Sequence, residues 1–212
     1  MSAGTFLRWV AVVPVKALAT AKSRLATGSD ERRRALAGAF AADTVAALRA
    51  ADDVRAVVLV CSDKVLVAAL AAPGVVLVDE PTPGGLNEAA RAGVDWAATH
   101  HGDAAIVVLP ADLPALRPRD VTRVLRLAAN HPRTALADGE GSGTTMLTGL
   151  PGSPPRPRFG SGSYAAHLAD GAVAIDATGL DRAARDVDTE PDLDEVRRLG
   201  VGPATEAVLG SG

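Results

Sequence analysis

Short runs of β-branched and aliphatic residues alternate along this chain with longer stretches whose apolar residues recur every three or four positions. The first run, Val10-Ala11-Val12-Val13-Pro14-Val15, predicts a strand. Residues 30 to 50 put Leu36, Phe40, Ala47 and Leu48 on one face of a helix. A second strand is predicted over 55–60, an Ala-rich helix near 63–71, and a third strand over 75–78. A helix from Leu86 to about Thr99 leads to a fourth strand over 105–109. Pro118 suits the first position of the next helix. Val121, Val124, Leu125 and Ala128 follow at helical spacing, and Asn130 marks the stop. Strands are predicted near 134–137 and 144–148. After them come a short helix beyond Ser161, a strand near 173–175 and a helix over 190–199. Thr189 is a natural N-cap for that last helix, and Gly200 a natural C-terminal cap.

Alternating strands and helices imply an α/β fold around a mostly parallel sheet. Near-continuous apolar strands imply that helices cover both faces of the sheet. With no internal repeat and no clear linker, residues 1–212 read as one domain. The second half is less regular. Its Pro-rich stretch, Pro151 to Pro157, reads as a surface excursion or a dimer element, which leaves a homodimer open.

Composition narrows the picture. At 48% hydrophobic and 22% charged residues, a packed core is expected. Aromatics are only 3%, so Val, Leu, Ala and Ile must fill that core. The 22 basic and 25 acidic residues leave a net charge of -3, which argues against a nucleic acid polymer as partner. The one cysteine, Cys61, cannot form an internal disulfide and ends an apolar run as a buried thiol. No apolar run approaches the roughly 20 residues of a membrane helix. No signal peptide is seen, and a cytoplasmic protein without a membrane partner is expected.

In such sheets ligands bind beyond the carboxyl ends of the strands, so the residues after each strand are the candidates for chemistry. After the first strand stand Lys16, Lys22 and Arg24, cations able to neutralise a triphosphate and a leaving pyrophosphate, or simply a solvated basic loop. Neither a P-loop nor a G-x-G-x-x-G pattern is present. After the third strand, Gly84, Gly85 and Asn87 open a helix. Asn87 either caps it or reads a base or ribose. After the fourth strand, Asp112 lies in an apolar, proline-stiffened loop and suits a magnesium ligand or a turn. Asp138 to Thr145 is rich in Gly, Ser and Thr, a cradle for an anion or a plain hairpin turn. Arg158 to Tyr164 opens a short helix whose N-terminal amides and Ser163 could face an anion. Asp186 and Asp188 alternate along an extended segment, where Asp188 could be a second metal carboxylate. The histidines His100, His101, His131 and His167 show no zinc spacing, and no Ser-His-Asp set is visible. Two acids, a cationic loop and anion cradles fit phosphoryl-type transfer better than acid–base or nucleophilic catalysis.

The runs PVKALATAKSRLA, GGLNEAARAG, LPADLPAL, DGEGSGTTML, RFGSGS and DVDTEPDL occur in this order. Together they resemble the 2-phospho-L-lactate / phosphoenolpyruvate guanylyltransferases of coenzyme F-420 biosynthesis, over about residues 10 to 200. The resemblance implies a nucleotide-diphospho-sugar transferase-like three-layer α/β/α sandwich with a mixed, mostly parallel sheet. It implies GTP as donor, a small phosphorylated carboxylic acid as acceptor, and Mg²⁺. The acceptor would lie against Thr144, Gly160 and Ser163, and the metal against Asp112 and Asp188. On that reading Lys16, Lys22 and Arg24 steady the pyrophosphate, while Gly84, Gly85 and Asn87 help select guanine. One departure is Pro14-Val15-Lys16, which stands where sugar nucleotidyltransferases usually carry a Gly-rich loop. The expected acceptor is phosphoenolpyruvate, with 2-phospho-L-lactate or a phosphoglycerate as alternatives. A GTP-binding domain without catalysis is the alternative of another class.

Overall fold

The structure is a computed structural model that describes residues 7–15, 25, 29–82 and 84–211. Its strands are β1 (Trp9–Pro14), β2 (Val54–Val60), β3 (Val75–Val78), β4 (Ala105–Val108), β5 (Arg133–Ala137), β6 (Thr144–Gly149) and β7 (Val173–Ala174). They form one sheet in the order β3-β2-β1-β4-β6-β5-β7. All neighbours pair in parallel except β6, which runs antiparallel to both β4 and β5. Because β6 is reversed, its first residue, Thr144, lies at the same sheet edge as the carboxyl ends of the other strands.

Side-chain alternation along β1 divides the core between two faces. Trp9, Ala11 and Val13 join a cluster with residues of α1 (Asp30–Arg49), α2 (Lys64–Leu70), α4 (Pro118–Ala128) and α6 (Asp181–Ala184). Val10 and Val12 join Ala90, Val94 and Ala97 of α3 (Leu86–His100) on the other face. α5 (Ser163–Ala169) covers β5 and β6 on that same face, through Tyr164 and Leu168. The helices are thus two outer layers, as the apolar strands require. Each fully buried Val or Leu contributes about 1.5–3 kcal/mol.

α3 can lie this close to the sheet because of Gly93. A Cβ there would strike the side chains of Val12 and Val60.

Helix ends follow the local chemistry. Ser29 accepts from the Arg32 N–H at 3.2 Å and starts α1, with Asp30 and Glu31 in its first turn. Thr189 and Asp192 form a reciprocal capping box on α7 (Glu190–Leu199), and Gly200 follows its last turn. α8 (Pro203–Gly210) is capped from a distance. The Asp43 carboxylate, in the middle of α1 and buried, accepts from the N–H groups of Ala204 (3.0 Å) and Thr205 (2.8 Å). Gly202 lies against that carboxylate with no room for a Cβ. α6 and α8 are elements the sequence pattern did not announce.

The Pro-rich stretch after β6 is a connection with a defined path. Its backbone at 153–155 packs where a Cβ of Gly149 would fall, and Pro155 and Pro157 are buried. Arg91 of α3 donates to the Pro157 carbonyl at 3.3 Å. The stretch carries the chain from the amino edge of the parallel strands back to the carboxyl edge, where Arg158 and Phe159 begin the next segment.

Candidate active site

The carboxyl edge of the sheet gathers the loops on which the candidate residues stand. Lys16, Lys22 and Arg24 lie outside the described residues.

The loop after β4 carries Asp112 and is fixed from two sides. The Thr44 hydroxyl of α1 donates to the Phe40 carbonyl (2.8 Å) and accepts from the Leu113 N–H (3.1 Å). The Asp112 carbonyl accepts from the Val187 N–H at 3.2 Å. Val187 is fully buried between Asp186 and Asp188. The segments carrying Asp112 and Asp188, separated by more than seventy residues in sequence, are therefore bonded directly to each other. The Asp188 N–H in turn donates to the Asp192 carboxylate at 3.1 Å, which ties the segment to the start of α7.

The β5–β6 connection is a closed hairpin turn. The Asp138 carboxylate accepts from the N–H groups of Ser142 (3.0 Å) and Gly143 (2.7 Å). Those amides, expected to face an anion, are taken up within the loop. Gly139 packs on the Arg185 guanidinium, which leaves no space for a Cβ. Arg185 also pairs with Glu195 of α7 at 3.0 Å. The hairpin is thereby braced against the segment that leads into Asp186 and Asp188.

Gly160 (φ +134°) and Gly162 (φ +71°) adopt backbone conformations that L side chains resist, and they turn the chain sharply into α5. The expectation of open amides at this helix start is not met at its first two residues. The Ser163 N–H donates to the Gly160 carbonyl (3.1 Å) and the Tyr164 N–H to the Ser142 carbonyl (3.2 Å). What this corner offers a ligand is hydroxyl chemistry. Ser163 Oγ donates to Thr144 Oγ1 at 3.4 Å, and both side chains are buried. Thr144, Gly160 and Ser163 are thus brought together.

His167 completes the corner, although nothing in its sequence spacing marks it. Its Nδ1 lies 2.9 Å from Thr144 Oγ1, and its Nε2 accepts from the Arg158 N–H at 3.0 Å. Burial, with a smaller push from Arg158 and partly opposed by Asp170, lowers its pKa to about 4. The ring is therefore neutral near pH 7. Asp170, at the end of α5, is raised by burial but brought below its ordinary value by Arg156, Arg133 and Arg158.

Asn87 does not cap α3, whose cap position is Gly85 without a side-chain bond. Its carboxamide instead clasps the Phe159 backbone, accepting from the N–H (2.7 Å) and donating to the carbonyl (2.9 Å). Gly84 and Gly85 stand beside it, crowded by the Glu80 and Glu88 carboxylates at 2.9 and 2.6 Å from where Cβ atoms would fall. The clasp joins this loop to the 158–163 segment. Cys61 is the buried strand-end thiol expected; burial pushes its pKa up and makes it a poor nucleophile.

This edge and this strand order define a nucleotide-diphospho-sugar transferase fold. A Desulfovibrio desulfuricans G20 protein assigned to the nucleotide-diphospho-sugar transferases superposes with a TM-score of 0.57 at 15% identity, covering 92% of this chain and 78% of that one. A 4-diphosphocytidyl-2C-methyl-D-erythritol synthase gives 0.56 at 16% identity, covering 91% and 99%. Within that fold, residues 9–209 match the family model for guanylyl transferases like CofC, and the chain belongs to that family. A phosphoenolpyruvate guanylyltransferase of Streptomyces scabiei (strain 87.22) is 48% identical over 206 residues, 95% of each chain. One of Thermomonospora curvata is 43% identical over 202 residues, 95% of this chain and 89% of that one.

Proposed function

We propose that this protein transfers a guanylyl group from GTP to phosphoenolpyruvate, giving enolpyruvoyl-diphospho-guanosine and pyrophosphate, as a step of coenzyme F-420 biosynthesis. The observation that carries the reading is a juxtaposition. Two carboxylate-bearing segments and a hydroxyl-lined corner share one sheet edge, in a chain whose relatives bear that activity in their names along nearly their whole length.

An oxygen of the acceptor phosphate attacks the α-phosphorus of GTP. A new P–O bond forms, the bond to the β-phosphate oxygen breaks, and its electron pair leaves on pyrophosphate. The attacking oxygen is already ionised near neutral pH, so no general base is required. Catalysis is then positioning and charge neutralisation. Thr144, Ser163 and the turn at Gly160 orient the acceptor. Lys16, Lys22 and Arg24 steady the charge on the departing pyrophosphate. Gly84, Gly85 and the Asn87 region receive the base.

Asp112 and Asp188 are a fitting pair for Mg²⁺, which takes one or two carboxylates and fills its remaining positions with phosphate and water oxygens. The donor set is hard oxygen, and no group of three or more His, Cys, Asp or Glu that could hold a metal occurs among the described residues. When bound, the ion neutralises phosphate charge and draws the two substrates together.

Pyrophosphate release with GTP and each acid in turn tests the reading. Phosphoenolpyruvate is expected to be turned over faster than 2-phospho-L-lactate or a phosphoglycerate. Folded Asp112→Asn and Asp188→Asn proteins are expected to lose about 100-fold or more in the same assay. Release that is equal without any acid, or near-normal in both variants, contradicts the assignment.

A further inference from the structure

We propose that His167 is a positioning residue that fixes the Thr144 hydroxyl as a hydrogen-bond donor to the acceptor acid and holds the Arg158–Gly160 segment beside it. The proposal rests on the reading that Thr144, Gly160 and Ser163 hold the acceptor.

One group in this corner has no choice of role. The Arg158 backbone N–H can only donate, and it donates to His167 Nε2 at 3.0 Å. A neutral imidazole with an accepting Nε2 must carry its hydrogen on Nδ1. That Nδ1–H then donates to Thr144 Oγ1, 2.9 Å away. Ser163, one helical turn before His167, donates its hydroxyl to the same oxygen at 3.4 Å. Both lone pairs of Thr144 Oγ1 are then engaged. Its own hydrogen has no hydrogen-bond acceptor among the described residues, although the side chain is 7% exposed. The carboxylate and phosphate of a phosphorylated acid offer only acceptor oxygens, so a hydroxyl obliged to donate is the complementary group.

The surroundings keep the ring in that state. His167 is 1% exposed. The Phe159 ring lies edge-on to it, with centroids 5.4 Å apart at 71°. From α5, Asp170 faces it, but Arg133 of β5 (3.0 Å), Arg156 (3.4 Å) and Arg158 (3.8 Å) surround that carboxylate. A second proton on the ring would fall on Nε2, pointing at the Arg158 N–H, and would break the contact that holds the segment.

The test is steady-state pyrophosphate release by wild type, His167→Phe, His167→Asn, Thr144→Val and the His167→Phe/Thr144→Val double variant, each checked for folding by circular dichroism. His167→Phe is expected to raise the KM for phosphoenolpyruvate about 10-fold and to leave the KM for GTP within about 2-fold. His167→Asn, which keeps an N–H near the Nδ1 position, is expected to recover part of the loss and carries the test if the Phe variant does not fold. In the Thr144→Val background the His167 substitution is expected to change the acid KM by clearly less than it does in the wild-type background, because the Thr144 hydrogen bond is already gone and only the contact with the Arg158 N–H remains to be lost. Equal changes in both KM values, or fully additive effects in the double variant, overturn the proposal while leaving the guanylyl-transfer reading intact. A wild type that releases no pyrophosphate with any acid overturns both.

Discussion

At the scale of single residues, His167 ties stability to pH. Its pKa is near 6.5 in the unfolded chain and about 4 in the folded one. Between those values the unfolded chain takes up a proton that the folded chain refuses. The stability is therefore complete above about pH 6.5 and declines as pH falls through 4, by a total of about 3 kcal/mol. Urea denaturation of wild type and His167→Phe from pH 7 to pH 4 is expected to show a steeper loss in wild type; parallel curves would contradict the buried, neutral ring. Residues of this kind were the least legible in the sequence. Asp112 stands out because a carboxylate after an apolar strand demands a reason, and Asp188 because it alternates with Asp186 along an extended segment. His167 gave no such signal, because its partners Thr144 and Arg158 lie 23 and 9 residues away at no diagnostic spacing. Asn87 was legible as a polar residue near a helix start, yet its partner is the Phe159 backbone, 72 residues on.

At the scale of elements, periodicity recovered the strands and the longer helices to within a residue or two, since burial of each apolar face dictates the pattern. α8 was missed because its N-terminus is held by Asp43, 161 residues earlier, and not by a local cap. An acid in the middle of a helix would ordinarily face water. Here it is 5% exposed, and it serves another helix. Asp43→Ala leaves two helix-end N–H groups without that acceptor and is expected to cost about 2–3 kcal/mol in chemical denaturation. A change below about 0.5 kcal/mol would show that α8 does not depend on it. In the sequence the Pro-rich stretch suggests only an excursion or a dimer element, because prolines break both periods. The structure makes it the return path that brings Arg158, Phe159 and Gly160 to the carboxyl edge of the sheet.

At the scale of the whole molecule, one reversal organises the site. β6 runs against its neighbours, so Thr144, at its start, meets the loops that follow the parallel strands. The sequence order of the segments is scattered, and the sheet collects them: Asp112 with Val187, the hairpin at Gly139 with Arg185, Asn87 with Phe159. This convergence, more than any single motif, supports the proposal of transfer between a nucleoside triphosphate and a small acid at this edge. The product itself is the most direct test. Phosphorus NMR of the protein with GTP, phosphoenolpyruvate and Mg²⁺ is expected to show a new pair of coupled diphosphate resonances, growing in step with one equivalent of pyrophosphate as the phosphoenolpyruvate monoester signal falls. Loss of GTP to GDP or GMP with the phosphoenolpyruvate signal unchanged would contradict the account.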